Sequence, residues 1–341
     1  MVVQIHALLL LSFILFIEST RNVSFQNPTR PGVVVLGMHR SGTSLMSGLL
    51  YGMNMHLGGP VIGASSDNIR GHFERVDVVL QNDLILAAQG LSHDASDLYK
   101  FDYLSALKLI LDEIDFGSHF FEGRRALRYY NEPANIPWLL KDPRMCITLR
   151  TWLPLFTTMP AAVFIYRDPM SVALSLMNRN PNKYTIQQAL ELWYVYNMRA
   201  IQQSVDLCRV IVSYKELMLY PEDTVARIHR QVTLCGVHNL QQIAPVDVAE
   251  FMIYRKFDDF DCGLVATEQG MSIGFDLNSL DLPDEWQAVE GRSVGSDLML
   301  YISVMRLYCA MESDEAFSPG YDFDLNSVVA TTQYGKGLLG I

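Results

Sequence analysis

Between positions 32 and 44 the chain reads GVVVLGMHRSGTS: five residues of continuous strand-like sequence, then a loop holding Gly37 and Gly42. Leu45, Met46, Leu49 and Leu50 follow at helical spacing. A short unbroken apolar run bounded by glycine is the mark of a strand covered on both faces, as in a parallel sheet. The later repeat is that of a helix packing one side on a core. Strand, glycine loop, helix is an arrangement whose backbone N–H groups converge, and the helix adds its positive end, so it suits a bound phosphate. Glycine turns also open helices that hold no ligand; the strand and helix on either side favour the phosphate reading.

Three further segments have the character of buried parallel strands: Trp138 to Leu140 ending in Lys141, Ala161 to Tyr166, and Arg209 to Ser213. The last precedes a helical pattern over Glu222 to Val232. Alternation of this kind implies an α/β fold, a central parallel sheet with helices on both faces. Ligands in such sheets bind beyond the carboxyl ends of the strands, so the residues just after each strand carry the functional information.

Of 341 residues, 50% are apolar and 18% charged, which excludes a disordered or fibrous chain. No internal repeat or low-complexity linker divides the sequence. It reads as a single domain over residues 31–341, a nucleotide-binding core at 31–235 and an acidic extension at 236–341. The net charge of −11 excludes a general nucleic-acid binder. That charge is uneven: residues 241–341 hold 17 acidic and 5 basic side chains, leaving 20 and 21 for the first 240. An anion site is therefore expected in the near-neutral first part, and a solvated surface in the acidic part. The five cysteines show no C-x-x-C and no histidine pair at ligand spacing, so no metal site is expected. The odd number leaves at least one thiol unpaired, and burial of single cysteines is the expectation.

Residues 1–25 contain the apolar run Ala7 to Ile17. A spanning helix needs about 20 apolar residues, so the run fits a signal-peptide core better, with a signal anchor as the alternative. The sequon Asn22-Val23-Ser24 would face the lumen in either case. The expected location is the secretory pathway, in the Golgi lumen or membrane-associated through residues 1–17. The alternative is a cytoplasmic protein with a docked apolar helix.

The loop departs from that of a nucleotide triphosphatase, G-x-x-x-x-G-K-S/T, because Thr43 stands where the lysine would and the cation is Arg40 inside the loop. A P-loop small-molecule kinase is thereby disfavoured. A second anion motif follows the third strand as Arg167-Asp168-Pro169, with Ser175 and Arg179 farther on. Asp168 is placed to cap a helix that Pro169 opens, and Ser175 and Arg179, four apart, share one face of it. Two guanidiniums and a hydroxyl make an anion clamp; a capped helix with surface arginines is the alternative.

Taken together these motifs resemble the sulfotransferase superfamily, whose donor is PAPS (3′-phosphoadenosine 5′-phosphosulfate). G-M-H-R-S-G-T-S is similar to the 5′-phosphosulfate loop. The resemblance implies a P-loop-containing nucleotide-binding fold. It also implies a cradle of Ser41, Gly42, Thr43 and Ser44 around the 5′-phosphate, with Arg40 near the bridging oxygen. Arg167, Ser175 and Arg179 resemble the 3′-phosphate motif. Lys141-Asp142-Pro143-Arg144 is similar to the strand exit of microbial and tyrosylprotein-type members, and Val212-Ser213-Tyr214 to a motif whose tyrosine lies near the nucleotide. The likeness spans Val33 to Val232. The cytosolic branch's R-K-G-x-x-G-x-W loop is missing, and no histidine follows the strand that ends at Lys141.

The catalytic base implied is therefore Glu74, within Gly71-His72-Phe73-Glu74, with His72 as second choice and Lys141 helping Arg40 at the leaving oxygen. Each has a structural alternative: a helix-dipole charge for Glu74, a packed histidine for His72, and a carboxylate partner for Lys141. The implied reaction moves a sulfuryl group from PAPS to a hydroxyl acceptor, releasing PAP and requiring no metal. The acceptor would be carbohydrate, peptidyl tyrosine or a small molecule. A non-catalytic nucleotide-binding scaffold is the remaining alternative. Residues 93–135, rich in aromatics, are a candidate for shaping the acceptor pocket, although aromatics at helical spacing are more often core.

Overall fold

The computed structural model describes residues 29–65, 71–95, 97–116, 122–252, 262, 266–267, 270–271 and 294–326. Four strands, β1 (Gly32–Leu36), β2 (Trp138–Lys141), β3 (Ala161–Tyr166) and β4 (Arg209–Ser213), form one parallel sheet in the order β2-β1-β3-β4. These are the four segments expected from the sequence. β1 lies at the centre, with Val34 opposite Leu140 on one side and Ala162 on the other.

Every residue of β1 is buried because successive side chains point to opposite faces and both faces are covered. Val34 and Leu36 join the core that includes Leu149 of α5 (Met145–Trp152) and Trp193 of α7 (Ile186–Gln203). Val33 and Val35 join the other core, with Leu49 of α1 (Thr43–Gly52) and Ile228 of α9 (Pro221–Leu234). A strand apolar at every position can sit nowhere but between two helical layers. Among the described residues the other helices up to residue 252 are α2 (Val76–Ala87), α3 (Tyr103–Phe116), α4 (Arg124–Tyr130), α6 (Pro169–Arg179), α8 (Tyr214–Leu219) and α10 (Pro245–Met252).

Local chemistry accounts for where the helices begin. Asp168 caps α6 by accepting the Ser171 backbone N–H at 2.7 Å, and Pro169 occupies the first turn, where its missing donor costs nothing. Thr185 and Gln188 make a reciprocal capping box that starts α7.

The acidic C-terminal part differs from the expectation of a solvated surface. Its helix α11 (Val294–Glu312) is rich in large apolar residues, and Leu300, Val304, Met305 and Tyr308 are buried in the core beside α7. Tyr166 at the end of β3 donates its hydroxyl to the Met311 carbonyl at 3.2 Å. Ser213 at the end of β4 donates to Glu312 Oε1 at 2.8 Å. Segment charge says how acidic the solvent face is; it says nothing about whether another face is apolar.

The cysteines are likewise a correction. Cys208 pairs with Cys235 and Cys262 with Cys309, leaving Cys146 free and buried. Sequence separations of 27 and 47 place each bridge in the range of about 3–4 kcal/mol by loop-closure entropy. No spacing signal marks these pairs, since the partners meet only when β4, α9 and α11 are assembled. The apolar run at Ala7 to Ile17 and the sequon at Asn22 lie outside the described residues. Among the described residues, no helix is long and apolar enough to cross a membrane.

Burial pushes the Cys146 thiol up to about 12 even though the Gly37 N–H donates to it. It should therefore resist alkylation at pH 8 in the folded protein. Titration without reductant is expected to find no reactive thiol in the native protein and one per chain after denaturation.

Candidate active site

The loop between β1 and α1 is held by close backbone approach at two points. Gly37 has φ +148°, and a Cβ there would lie 2.4 Å from the Ile165 carbonyl oxygen. Gly42 has φ +92°, and a Cβ there would lie 2.6 Å from the Tyr214 ring. Both the left-handed conformation and the lack of space require glycine. Between them the Ser41 N–H closes a turn on the Met38 carbonyl at 3.2 Å, and Arg40 adopts φ 71°. Gly42 caps α1 and, as glycine, brings no side-chain acceptor of its own to the first N–H groups of the helix. The Ser41 hydroxyl is buried beside them without a partner. A helix that starts on a glycine and a buried, unsatisfied hydroxyl beside its positive end are what a phosphate oxygen would suit, so the residues fit the group.

The second anion motif comes to the same place. Arg40 Nε donates to Ser175 Oγ at 3.0 Å, joining residues 135 apart in sequence. The Arg167 guanidinium lies over the Tyr214 ring, 4.6 Å from its centroid, and so flanks Gly42 across the same ring. The Arg167 carbonyl is tied to Trp193 Nε1 at 2.9 Å, which fixes the chain as it leaves β3. Arg179, one turn beyond Ser175 on α6, is exposed and lines a neighbouring cavity.

Glu74 is buried and forms an ion pair with Lys141, the last residue of β2. The Lys141 ammonium also donates to the His72 carbonyl at 3.0 Å and to Ser44 Oγ at 3.3 Å. Three expected site residues, Glu74, Lys141 and Ser44, are thus one hydrogen-bonded group at the carboxyl end of the sheet. Of the alternatives for Lys141, partnership with a carboxylate is realised, and the carboxylate is Glu74. For His72 the ring is held by Ser65 Oγ at 3.0 Å.

Neighbouring pairs hold Glu74 in position. Arg75 donates to both oxygens of Asp77 at 3.0 and 2.7 Å and packs under the rings of Tyr129 and Tyr130. With Arg75 turned inward, the adjacent Glu74 is left on the cavity side. At the exit of β2, Asp142 accepts from Asn82 Nδ2 at 2.8 Å and from Arg144 Nη1 at 3.1 Å, and Arg144 also reaches Asp83 at 2.6 Å. Burial raises the Asp142 carboxyl, opposed by the charge of Arg144.

A cavity of about 310 Å³ opens beside this group, with Glu74, His72 and Arg179 in its wall. His39, Arg144 and Tyr196 line it too, and sequence reasoning did not single them out as site residues. A signal existed for His39, which stands inside the phosphate loop itself. From the aromatic segment 93–135, His93 and Asp94 reach the cavity, whereas Phe101 and Tyr130 are core residues. Among the described residues, that segment therefore reaches the cavity through its first loop.

The glycine loop after β1, joined through Arg40 to Ser175 of α6, and the buried Glu74–Lys141 pair bonded to Ser44 form one site on a P-loop-containing fold. The model of the Sulfotransferase family matches residues 31–235, and the chain belongs to that family. Membership makes it a transferase that takes its group from a sulfonate donor. No curated protein matches the chain. Similar solved structures include the sulfotransferase domain of the Synechococcus PCC 7002 olefin synthase, at 16% identity and TM-score 0.37, covering 62% of this chain and 77% of that one. The sulfotransferase domain of the curacin biosynthetic pathway is similar at 13% identity and TM-score 0.42, covering 84% and 99%. Sulfotransferase STF1 from Mycobacterium tuberculosis H37Rv is similar at 14% and 0.36, covering 67% and 77%.

At the rim of the cavity Lys183 pairs with Asp94 at 2.6 Å. Partial burial opposes ionisation of Asp94, but hydrogen bonds from Lys183 and Ser92 outweigh it and bring the carboxyl down to about 2. A carboxyl depressed on folding contributes stability above its unfolded pKa, near 3.9, and loses it as pH falls towards the folded value. Asp94→Asn should lower the melting temperature at pH 7 and flatten its decline between pH 4 and 2, as read by thermal scans across that range.

Proposed function

We propose that the chain transfers the sulfuryl group of PAPS to a hydroxyl acceptor and releases PAP, with Glu74 as the base. The observation that carries this reading is the Arg40–Ser175 hydrogen bond, which brings the two anion motifs to one point next to the Glu74–Lys141–Ser44 group. The donor supplies an activated sulfuryl group on a 5′-phosphate. The loop N–H groups, the Ser41 hydroxyl and the positive end of α1 hold that phosphate, with Thr43 and Ser44 opening the helix beneath it. Arg167, Ser175 and Arg179 hold the 3′-phosphate, and Tyr214 supports Arg167 and the loop. Glu74 takes the acceptor proton, and Arg40 and Lys141 offset charge at the leaving oxygen. No role in this scheme is left for a metal.

A small-molecule kinase would need a cation where buried Thr43 stands, which disfavours it. The two disulfides favour an oxidising compartment, and with the apolar run at residues 7–17 they support a lumenal or membrane-anchored location in the secretory pathway. The packing of α11 on α7 supports reading residues 31–341 as one domain.

Calorimetry should find binding of PAP without added metal and none of ATP with Mg²⁺; the reverse preference would sink the sulfotransferase reading. Ser175→Ala and Arg179→Ala are each expected to weaken PAP about tenfold or more, the worth of a hydrogen bond to a charged group. Glu74→Gln retains a partner for Lys141 and should keep PAP affinity while cutting transfer from labelled PAPS about 100-fold or more. A transfer rate unchanged by that substitution removes Glu74 from the mechanism.

A further inference from the structure

Helix α2 has its two faces reversed. The buried face carries Asp77, Gln81 and Asn82, each with a partner in the fold: Asp77 accepts from Arg75 at 2.7 Å, Gln81 Oε1 accepts the Gly123 N–H at 3.1 Å, and Asn82 Nδ2 donates to Asp142 at 2.8 Å. The strip turned to solvent is Val76, Leu80, Leu84 and Ala87, with no polar side chain. A surface helix surrounded only by water has the opposite arrangement. Leu80 is 47% exposed. Pro60 and Val61, both exposed, extend the strip beyond Val76, whose N–H donates to the Pro60 carbonyl at 3.0 Å. On the flank towards the active site stand Val79, in the cavity wall, and Asp83, bonded to Arg144 of that wall. The apolar strip therefore runs beside the cavity.

The neighbouring helix supplies charge. α4 packs against α2 and carries Arg124, Arg125 and Arg128, of which Arg125 and Arg128, one turn apart, are exposed. Glu122 and Glu132 stand just outside its two ends, so the arginines keep a positive excess there. The acidic excess of the chain lies elsewhere, in residues 241–341. Uncharged apolar side chains next to exposed guanidiniums match the boundary of an anionic bilayer, where acyl chains take the first and phosphates the second. A second copy of this chain would cover the strip but offer no phosphate to the arginines.

We propose that the outer face of α2, flanked by the arginines of α4, seats on an anionic lipid surface and holds the cavity beside it. Nothing in this depends on which group the site transfers. Seating by this face also differs from tethering by the apolar run at Ala7 to Ile17, which leaves the orientation of the folded part open.

Because that run can bring the full chain to a membrane by itself, the test reads which face touches lipid. Full-length Leu80→Trp is mixed with vesicles of phosphatidylserine and phosphatidylcholine, the latter brominated on its acyl chains so that it quenches tryptophan on contact. Its fluorescence should fall by about a third or more beyond that of the unsubstituted chain, as for a side chain at the acyl boundary. Leu234→Trp, exposed on α9 in the opposite helical layer, should show no added quenching. Val61→Glu with Leu80→Glu should weaken vesicle binding about tenfold or more, with melting temperature and PAP affinity unchanged. Arg125→Gln with Arg128→Gln should weaken it about tenfold on these vesicles and leave binding to phosphatidylcholine alone unchanged. No added quenching at position 80, equal quenching at 234, or vesicle affinity indifferent to both pairs of substitutions overturns the proposal. So does a lipid-free dimer in sedimentation that Leu80→Glu dissolves, which assigns the strip to a second copy.

Discussion

Two points at which the backbone admits no side chain organise this molecule. The loop after β1 passes so close to the Ile165 carbonyl at Gly37, and to the Tyr214 ring at Gly42, that a methyl group at either would collide. The loop is thereby clamped between the end of β3 and the start of α8. Because β3 leads into Arg167 and α6, the same clamp sets the distance from Arg40 to Ser175. The clamp itself exists because β1 is buried on both faces and cannot shift relative to β3.

Charges buried around the site are spent on one another. Glu74 with Lys141, Arg75 with Asp77, and Arg144 with Asp142 are pairs in which at least one partner is almost wholly inaccessible. Such pairs add little net stability because desolvation offsets most of their attraction, whereas removing one partner is strongly destabilising. Their use here is positional. Glu74–Lys141 joins elements distant in sequence, whereas Arg75–Asp77 and Arg144–Asp142 fix the chain locally on either side of it, and together they leave one carboxylate and the loop after β1 facing a common cavity. The neutral His39 fits the same scheme, since a charged ring at that position would face several cations.

The C-terminal helix shows how charge arithmetic and fold carry different information. Residues 241–341 are acidic as a set, but α11 turns Leu300, Val304 and Met305 inward, and Tyr166 and Ser213 at the ends of β3 and β4 hydrogen-bond its last turn. The carboxyl ends of the strands, where the site lies, are thus braced by a segment whose net charge alone pointed to solvent.

What the sequence by itself determined is what depends on neighbours within a few residues. The four strands, the glycine loop, the Asp168 cap, the Pro169 start and the shared face of Ser175 and Arg179 are all local, and each is legible from spacing and residue type. The tertiary structure decided what depends on residues tens of positions apart. It joined Arg40 to Ser175, matched Lys141 with Glu74 where Asp142 is nearer in sequence, paired four cysteines that carry no spacing signal, and turned His39 to the cavity. Side-chain partners are chosen by which elements a shared core brings together, and that choice follows from burying two apolar faces of one sheet at once. No stretch of chain contains that information alone.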